Sequence, residues 1–146
     1  MDGTWQELFA LLEQLAASLG QLAEISREKT AAVLRDDIIA VNDCMKREQV
    51  ISLSLRSADI KRDKLLERLG LQKLPLNAMA DRCPENLRPE ARRVEELVRD
   101  QYMIYRSAAD VARSTLEINL HEIEKIIDSE GSGGPPPRRG MADIRA

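Results

Sequence analysis

The residues that could perform acid–base, nucleophilic or metal chemistry are few in this sequence, and they are scattered. The single histidine, His121, lies among Glu117, Glu122 and Glu124 in a stretch with helical periodicity. Because no second histidine and no cysteine is nearby, neither a metal site nor a cysteine–histidine pair can be built around it locally. Charge clusters on helices are usually solvated faces, so we interpret His121 as a solvent-facing residue.

The two cysteines, Cys44 and Cys83, are far apart in the sequence and form no C-x-x-C motif. A disulfide framework or a zinc site is therefore not expected, and two reduced thiols are typical of a cytoplasmic protein. Cys44 falls on an apolar helical stripe, where a thiol is usually a buried and inert residue. The spacing of the cysteines thus predicts no redox chemistry.

Motifs for phosphate binding and catalysis are also missing. Gly131, Gly133 and Gly134 follow a predicted helix, and no Lys-Ser or Lys-Thr comes after them, unlike a phosphate-binding loop. A di-iron site in a helical bundle needs two Glu-x-x-His motifs, which one histidine cannot supply in a monomer. We predict no catalytic residue, no cofactor and no metal site, and a protein that is not an enzyme.

The composition excludes several classes of partner. The chain of 146 residues has a formal net charge of −3 and only 3% aromatic residues, so it offers nucleic acid neither a basic surface nor stacking platforms. Asp2 and Glu7 stand where a signal peptide would be apolar. No uncharged apolar run approaches ~20 residues, so we expect no membrane insertion and a cytoplasmic location.

Heptad spacing organises the first half of the chain into two helices, over 4–35 and 37–69. A capping box of Thr4 and Glu7 is expected to open the first helix. Apolar and small residues then recur at alternating spacings of four and three, and a parallel row widens the stripe, which predicts contact with more than one helix. The main row is Leu8, Leu12, Leu15, Leu19, Leu22, Ser26, Lys29 and Val33, and the second row is Trp5, Phe9, Ala16 and Ala23.

The boundaries of the second helix carry capping signals. Asp36 or Asp37 is the predicted N-cap, and Gly70 is the predicted left-handed residue after its end, which would pair Leu71 with Leu66. The two helices should form an antiparallel, coiled-coil-like hairpin. Three polar residues interrupt its stripes: Lys29, Glu48 and Arg62. They either extend to the edge of the seam or fix its register, and the sequence leaves both interpretations open.

The second half of the chain is predicted to contain a connector, one long helix and a tail. Three prolines punctuate residues 71–89, where a short helix is expected near 76–82. The last helix is predicted over 90–129, longer than the hairpin arms, so that one end overhangs. Residues 130–146, rich in Gly, Ser and Pro, are predicted to be a disordered tail. The fold class is therefore all-α, with a single helical domain over 1–129.

The last helix carries apolar residues on more than one face. Leu116, Leu120, Ile123 and Ile127 share one face, whereas Ile118 and Ile126 lie off it. Either the helix lies in the hairpin groove and touches both arms, or this region binds a helix of another protein. The six residues are our candidate partner-binding site.

Several of these features resemble the FlgN family of flagellar export chaperones. The hairpin over 22–69 resembles that family in its leucine run and in the order of Lys29, Asp37, Glu48 and Arg62 before a Leu-Leu pair. The stretch 116–127 resembles the family's last helix, and the final Asp-Ile-Arg-Ala is similar to the tail of many members. The triple-proline, double-arginine segment 135–139 departs from the family pattern.

The resemblance implies a cytosolic chaperone for the hook-filament junction (hook-associated) proteins. Such a chaperone keeps the clients' terminal helices soluble and delivers them to the type III export apparatus, with an export gate component as a further partner. The family's C-terminal client binding would carry over to Leu116, Ile118, Leu120, Ile123, Ile126 and Ile127. The alternative from the heptads alone is a coiled-coil structural or adaptor protein that self-associates without a dedicated client.

Overall fold

The computed structural model describes residues 2–130 and confirms the all-α class, with no strand among them. Helix α1 spans Asp2–Leu34 and α2 spans Ile38–Arg68. The connector holds two 3-10 turns, Leu76–Ala78 and Glu85–Leu87, around the four-residue helix α3, Met79–Arg82. The long helix α4 spans Arg88–Glu130. The predicted disordered tail begins one residue too early, because Glu130 still belongs to α4, and the rest of that prediction, residues 131–146, lies outside the described residues.

The predicted capping box at the start of α1 is wrong. The helix already begins at Asp2, so Thr4 lies inside its first turn and does not cap it. The physical reason is the burial of Trp5, which is 3% exposed and packs against Phe9 with ring centroids 6.0 Å apart. Extending the helix by two residues keeps Trp5 on the buried face, and this packing outweighs the local capping preference.

The turn between α1 and α2 shares its residues between two caps. Asp36 adopts a left-handed conformation, with φ of 56°, and closes α1: its N–H donates to the Val33 carbonyl, and the Asp37 N–H donates to the Ala32 carbonyl. Asp37 then caps α2, because its carboxylate accepts a hydrogen bond of 3.0 Å from the Ala40 N–H. The structure thus selects Asp37 from the two predicted N-caps.

Opposite substitutions in this turn should have opposite effects on stability. Asp36→Gly is expected to raise the free energy of unfolding by about 0.5–1 kcal/mol, since glycine adopts positive φ without steric cost and the Asn119 contact that it removes is exposed and long, at 3.5 Å. Asp37→Ala is expected to lower it by about 1 kcal/mol through loss of the cap. Urea denaturation followed by circular dichroism measures both values. Equal destabilisation by the two changes would contradict the assignment of the left-handed residue.

The end of α2 matches its prediction in detail. Gly70 has φ of 70°, its N–H donates to the Glu67 carbonyl, and the Leu71 N–H donates to the Leu66 carbonyl at 2.9 Å. These two bonds define the Schellman motif. They turn the chain sharply into the connector, which brings Leu71 and the residues after it back over the end of the hairpin.

Helix α1 lies between α2 and α4, and it packs against both. Three contacts fix the direction of α4: Gln6 donates to Glu90 at 3.2 Å, Arg93 pairs with Glu13 at 2.6 Å, and Asn119 donates to Asp36 at 3.5 Å. The paired residues rise together along both helices, so α4 runs parallel to α1 and antiparallel to α2. The two buried rows of α1 therefore serve two neighbouring helices, as the widened stripe predicts.

The hydrophobic core lies at the end of the molecule near the connector, which we call the proximal end. It joins the first half of α1 to the last turns of α2, the connector and the first turns of α4. The core residues are Trp5, Leu8, Phe9, Leu12, Ala16, Leu65, Leu66, Met79, Ala80, Cys83, Leu87, Ala91, Val94 and Val98. The end with the hairpin turn, the distal end, contributes none of them.

The polar residues that interrupt the stripes have different surroundings. Lys29 Nζ lies 2.7 Å from a Glu48 carboxylate oxygen, and this ion pair joins α1 to α2 from partly buried side chains. Arg62 instead pairs with Asp59 and Asp63 on its own helix. Of the two open interpretations, the structure favours a register role for Lys29 and Glu48 and an edge position for Arg62.

Helix α1 is long and apolar enough to cross a membrane by length and composition, a property that the sequence analysis did not expect. The criterion tolerates up to two charged residues in an 18-residue window, whereas the search for an uncharged run did not. Within the fold, 44% of that window is buried. Its position between α2 and α4 accounts for the apolar residues, since a central helix must bury two faces.

Candidate functional site

The six candidate partner-binding residues fall into two groups in the structure. Leu120 is 4% exposed, and Leu116, Ile123 and Ile127 are half-buried on the side of α4 that faces the hairpin. Ile118 and Ile126 are 65% and 55% exposed. The structure therefore does not gather all six residues on one surface.

An open apolar groove lies at the distal end, between α4 and the hairpin. Its volume is about 450 Å³, and we call it the distal groove. Three of the candidate residues, Leu116, Leu120 and Ile123, form its α4 wall. Asn119 also belongs to this wall, and the remaining lining residues come from α1, the turn and α2: Ala32, Val33, Asp36, Asp37, Ile38, Val41, Asn42 and Met45.

The sequence analysis missed the hairpin side of this groove. Ile38, Val41 and Met45 of α2 line the groove, and none of them was among the predicted binding residues. The sequence contains a signal for Ile38, because Ile38 and Ile39 directly follow the N-cap, where an exposed first turn is expected to be polar. In the structure these two isoleucines are 73% and 83% exposed.

Further apolar side chains at the distal end are exposed to solvent. Leu34 at the end of α1 is highly exposed, as are Ile38 and Ile39 at the start of α2. Helix α4 adds Ile118 and Ile126 at the same end of the molecule. Exposed apolar side chains that concentrate at one end of a helical protein generally indicate an interaction site. The distal end is thus an unsatisfied apolar surface beside a groove of a size that accepts side chains.

At the distal end, α4 contacts the hairpin through one polar contact and through the buried side chain of Leu120. Asn119 donates to the Asp36 carboxylate at 3.5 Å, which places the hairpin turn at the level of the middle of the groove. Residues 120–130 continue about 16 Å further along the helix axis. The last turns of α4 therefore extend past this contact, as the length of the helix predicted.

The thiols and the half-buried tyrosine do not provide a nucleophile. Burial raises the pKa of Cys44, and the nearby Glu28 carboxylate raises it further. Burial likewise raises the pKa of Cys83, so both thiols stay protonated near neutral pH. Burial and the Glu48 carboxylate raise the pKa of Tyr105. Within residues 2–130, no group of three or more His, Cys, Asp or Glu side chains is arranged to hold a metal ion.

Fold and groove together define a class: an all-helical protein with a packed proximal end and an open apolar groove at its distal end. A family model described as FlgN protein matches residues 1–129, and the chain belongs to this family. FlgN proteins are chaperones of flagellar type III protein export, so the chain is a flagellar export chaperone in this general sense and binds flagellar substrate proteins. No individual curated protein and no solved structure matched the chain.

Proposed function

We propose that this chain is a cytoplasmic chaperone for the hook-filament junction proteins, that it acts by binding alone, and that it delivers them to the type III export apparatus. The observation that carries the proposal is the distal groove, whose α4 wall is formed by Leu116, Leu120 and Ile123. Membership of the FlgN family supports the general role. The groove supplies a surface on which a client helix can lie.

The physical task of such a chaperone is to cover apolar stripes. Unassembled filament proteins with amphipathic terminal helices would self-associate through these stripes. Transfer of a stripe into the groove removes apolar area from water and contributes about 25 cal/mol per Å², before the cost of association. Because the client must also be released, we expect a dissociation constant between roughly 1 μM and 1 nM.

Within the proposed site, the six residues have different tasks. Leu120 forms the floor of the groove, and Leu116 and Ile123 form its wall. Ile127 continues this row by one turn, beyond the groove. Ile118 and Ile126 are exposed and would contact client surface that extends outside it. A client longer than the groove would therefore meet apolar side chains on two sides of α4.

The test is retention of client by the full chain and by the variant Ile123→Asp/Ile127→Asp. Each protein is immobilised and exposed to cytosol from flagellated cells, and bound proteins are identified by mass. A buried or half-buried carboxylate opposes apolar contact, so we expect binding to fall by at least about tenfold. Delivery to the export apparatus is tested in parallel by measuring how much of the retained client is secreted by cells that carry each variant.

The matched control is Val50→Asp/Leu53→Asp, which places two carboxylates on the outer face of α2. Both residues are 65% exposed and lie outside the distal groove. The control variant should retain clients like the parent chain. Equal loss in both variants, or loss of helicity in the groove variant, would refute the assignment of the site.

A second candidate function is self-association as a coiled-coil scaffold. It is favoured by exposed apolar residues along the outer face of α2, where Ile39, Val50, Leu53 and Ile60 recur at spacings typical of a heptad seam. Sedimentation at micromolar concentration separates the two functions. A concentration-independent dimer that Val50→Asp/Leu53→Asp dissociates would favour the scaffold, and a monomer would favour the chaperone.

A further inference from the structure

The distal end has a larger net negative charge than the whole chain. Residues 34–43 and 116–130 contain eight acidic and two basic residues, a formal charge of −6 with His121 neutral, although the whole chain has a net charge of only −3. The rest of the molecule is therefore slightly basic. Charge and exposed apolar surface coincide at one end, which is the end with the groove.

Three of these acids neighbour the groove-lining row of α4 on the helix surface, although they do not line the groove themselves. Glu117, Glu124 and Asp128 follow one another at spacings of seven and four residues, so they form a row next to the row of Leu120 and Ile127. Glu117 and Asp128 are exposed, and Glu124 is half-exposed. Within residues 2–130, no lysine or arginine nitrogen lies within 4.0 Å of these three carboxylates. We call this row the acidic edge.

The acidic edge contrasts with those acids of the proximal half of the molecule that pair with arginine. There, Glu13 pairs with Arg93, Glu7 pairs with Arg68, and Glu95 pairs with Arg99. Among the acids of residues 34–43, Asp37 lies 3.6 Å from Arg35 and Asp43 lies 3.8 Å from Arg47, whereas the acidic edge has no such partner within residues 2–130. A helix with acidic flanks would therefore meet repulsion at the groove, and a helix with basic flanks would meet attraction.

We propose that the distal groove selects amphipathic client helices whose apolar stripe is flanked by lysine or arginine. The inference rests on the proposed function and deepens it, because it names the chemistry of the client segment. Leu116, Leu120 and Ile123 supply apolar contact, and the acidic edge supplies orientation and discrimination. Exposed charge pairs are individually weak, so the selection comes from several pairs acting together and decreases with salt.

The test uses two synthetic helical peptides of about 20 residues with the same leucine and isoleucine stripe, one flanked by lysines and the other by glutamates. Binding to the full chain is measured by fluorescence anisotropy at about 50 mM and about 500 mM salt. We expect the lysine peptide to bind about tenfold more tightly at low salt, and the preference to shrink to about twofold at high salt.

Charge reversal on the protein provides the decisive comparison. Glu124→Lys/Asp128→Lys should abolish or invert the preference for the lysine peptide. The matched control is Glu96→Lys/Asp100→Lys, which reverses a glutamate and an aspartate at the same spacing on the exposed face of the proximal half of α4. The control should keep the preference of the parent chain.

The outcomes separate this inference from the proposed function. If both peptides bind equally and Ile123→Asp/Ile127→Asp abolishes both, the groove stands and the charge selection is wrong. If neither peptide binds, both proposals fail. A dimer that Ile123→Asp/Ile127→Asp dissociates would assign the groove to a second copy of the chain. Tighter peptide binding by Arg138→Glu/Arg139→Glu would assign the edge to the chain's own C-terminal segment, and both of these results would overturn the inference.

Discussion

Replacement of Leu8 by alanine is expected to lower the free energy of unfolding by about 2–5 kcal/mol. Leu8 is 1% exposed and lies in the proximal core between the other two long helices. The substitution removes buried methyl groups and leaves a cavity that the rigid helices cannot fill completely. Since domains of this size are stable by only about 5–15 kcal/mol, this loss is a large part of the total.

The matched control for this prediction is Leu53→Ala, the same chemical change on the outer face of α2. Leu53 is 65% exposed, so its truncation should change stability by no more than about 0.5 kcal/mol. Urea denaturation measured by circular dichroism gives both values. A similar loss in the two variants would mean that the outer face of α2 is buried in solution, and it would support the self-associating scaffold.

Local patterns in the sequence predict the hairpin well because its caps and seam depend on neighbouring residues. Position 70 requires a positive φ, which glycine adopts without steric cost, and Asp37 has the side chain that an N-cap needs. The heptad rows of α1 likewise identify its buried faces. The start of α1 could not be predicted in this way, because Trp5 is buried by residues distant in the sequence.

The docking of α4 could not be predicted, because the heptad pattern of a helix is the same for parallel and antiparallel neighbours. The direction follows from the length and path of the connector, which returns the chain to the N-terminal end of α1. The contacts Gln6–Glu90 and Arg93–Glu13 then join residues more than 75 positions apart. No short window of sequence contains such pairs.

The candidate site shows the same division. The apolar row of Leu116, Leu120 and Ile123 was visible in the sequence as a helical face. The hairpin wall of the groove was not visible in the sequence, because Ile38 and Met45 become part of the groove only when α4 docks on the hairpin. Helical spacing places Leu120 and Ile118 on different faces of α4, but only the docking of α4 shows that the face of Leu120 is the buried one.

The two halves of α4 should also differ strongly in hydrogen exchange. Residues 91–101 contain Ala91, Val94 and Val98 of the proximal core, whereas Leu120 is the only buried residue of described α4 after Ala112. Backbone amides exchange through local opening wherever few apolar contacts resist it. We expect amides of residues 116–130 to exchange roughly a hundredfold or more faster than those of 91–101, measured by mass spectrometry of the full chain.

This gradient connects the packing of α4 to its proposed function, because a segment with little internal support can adjust to a client helix at low cost. Addition of the lysine-flanked peptide should slow exchange in residues 116–130 and leave residues 91–101 unchanged. Leu8→Ala serves as the control for general destabilisation, since it removes methyl groups from the proximal core and leaves the residues that line the distal groove unchanged. Uniform protection along α4 in the free chain would show that the distal groove is already closed, and it would remove the physical basis for client binding there.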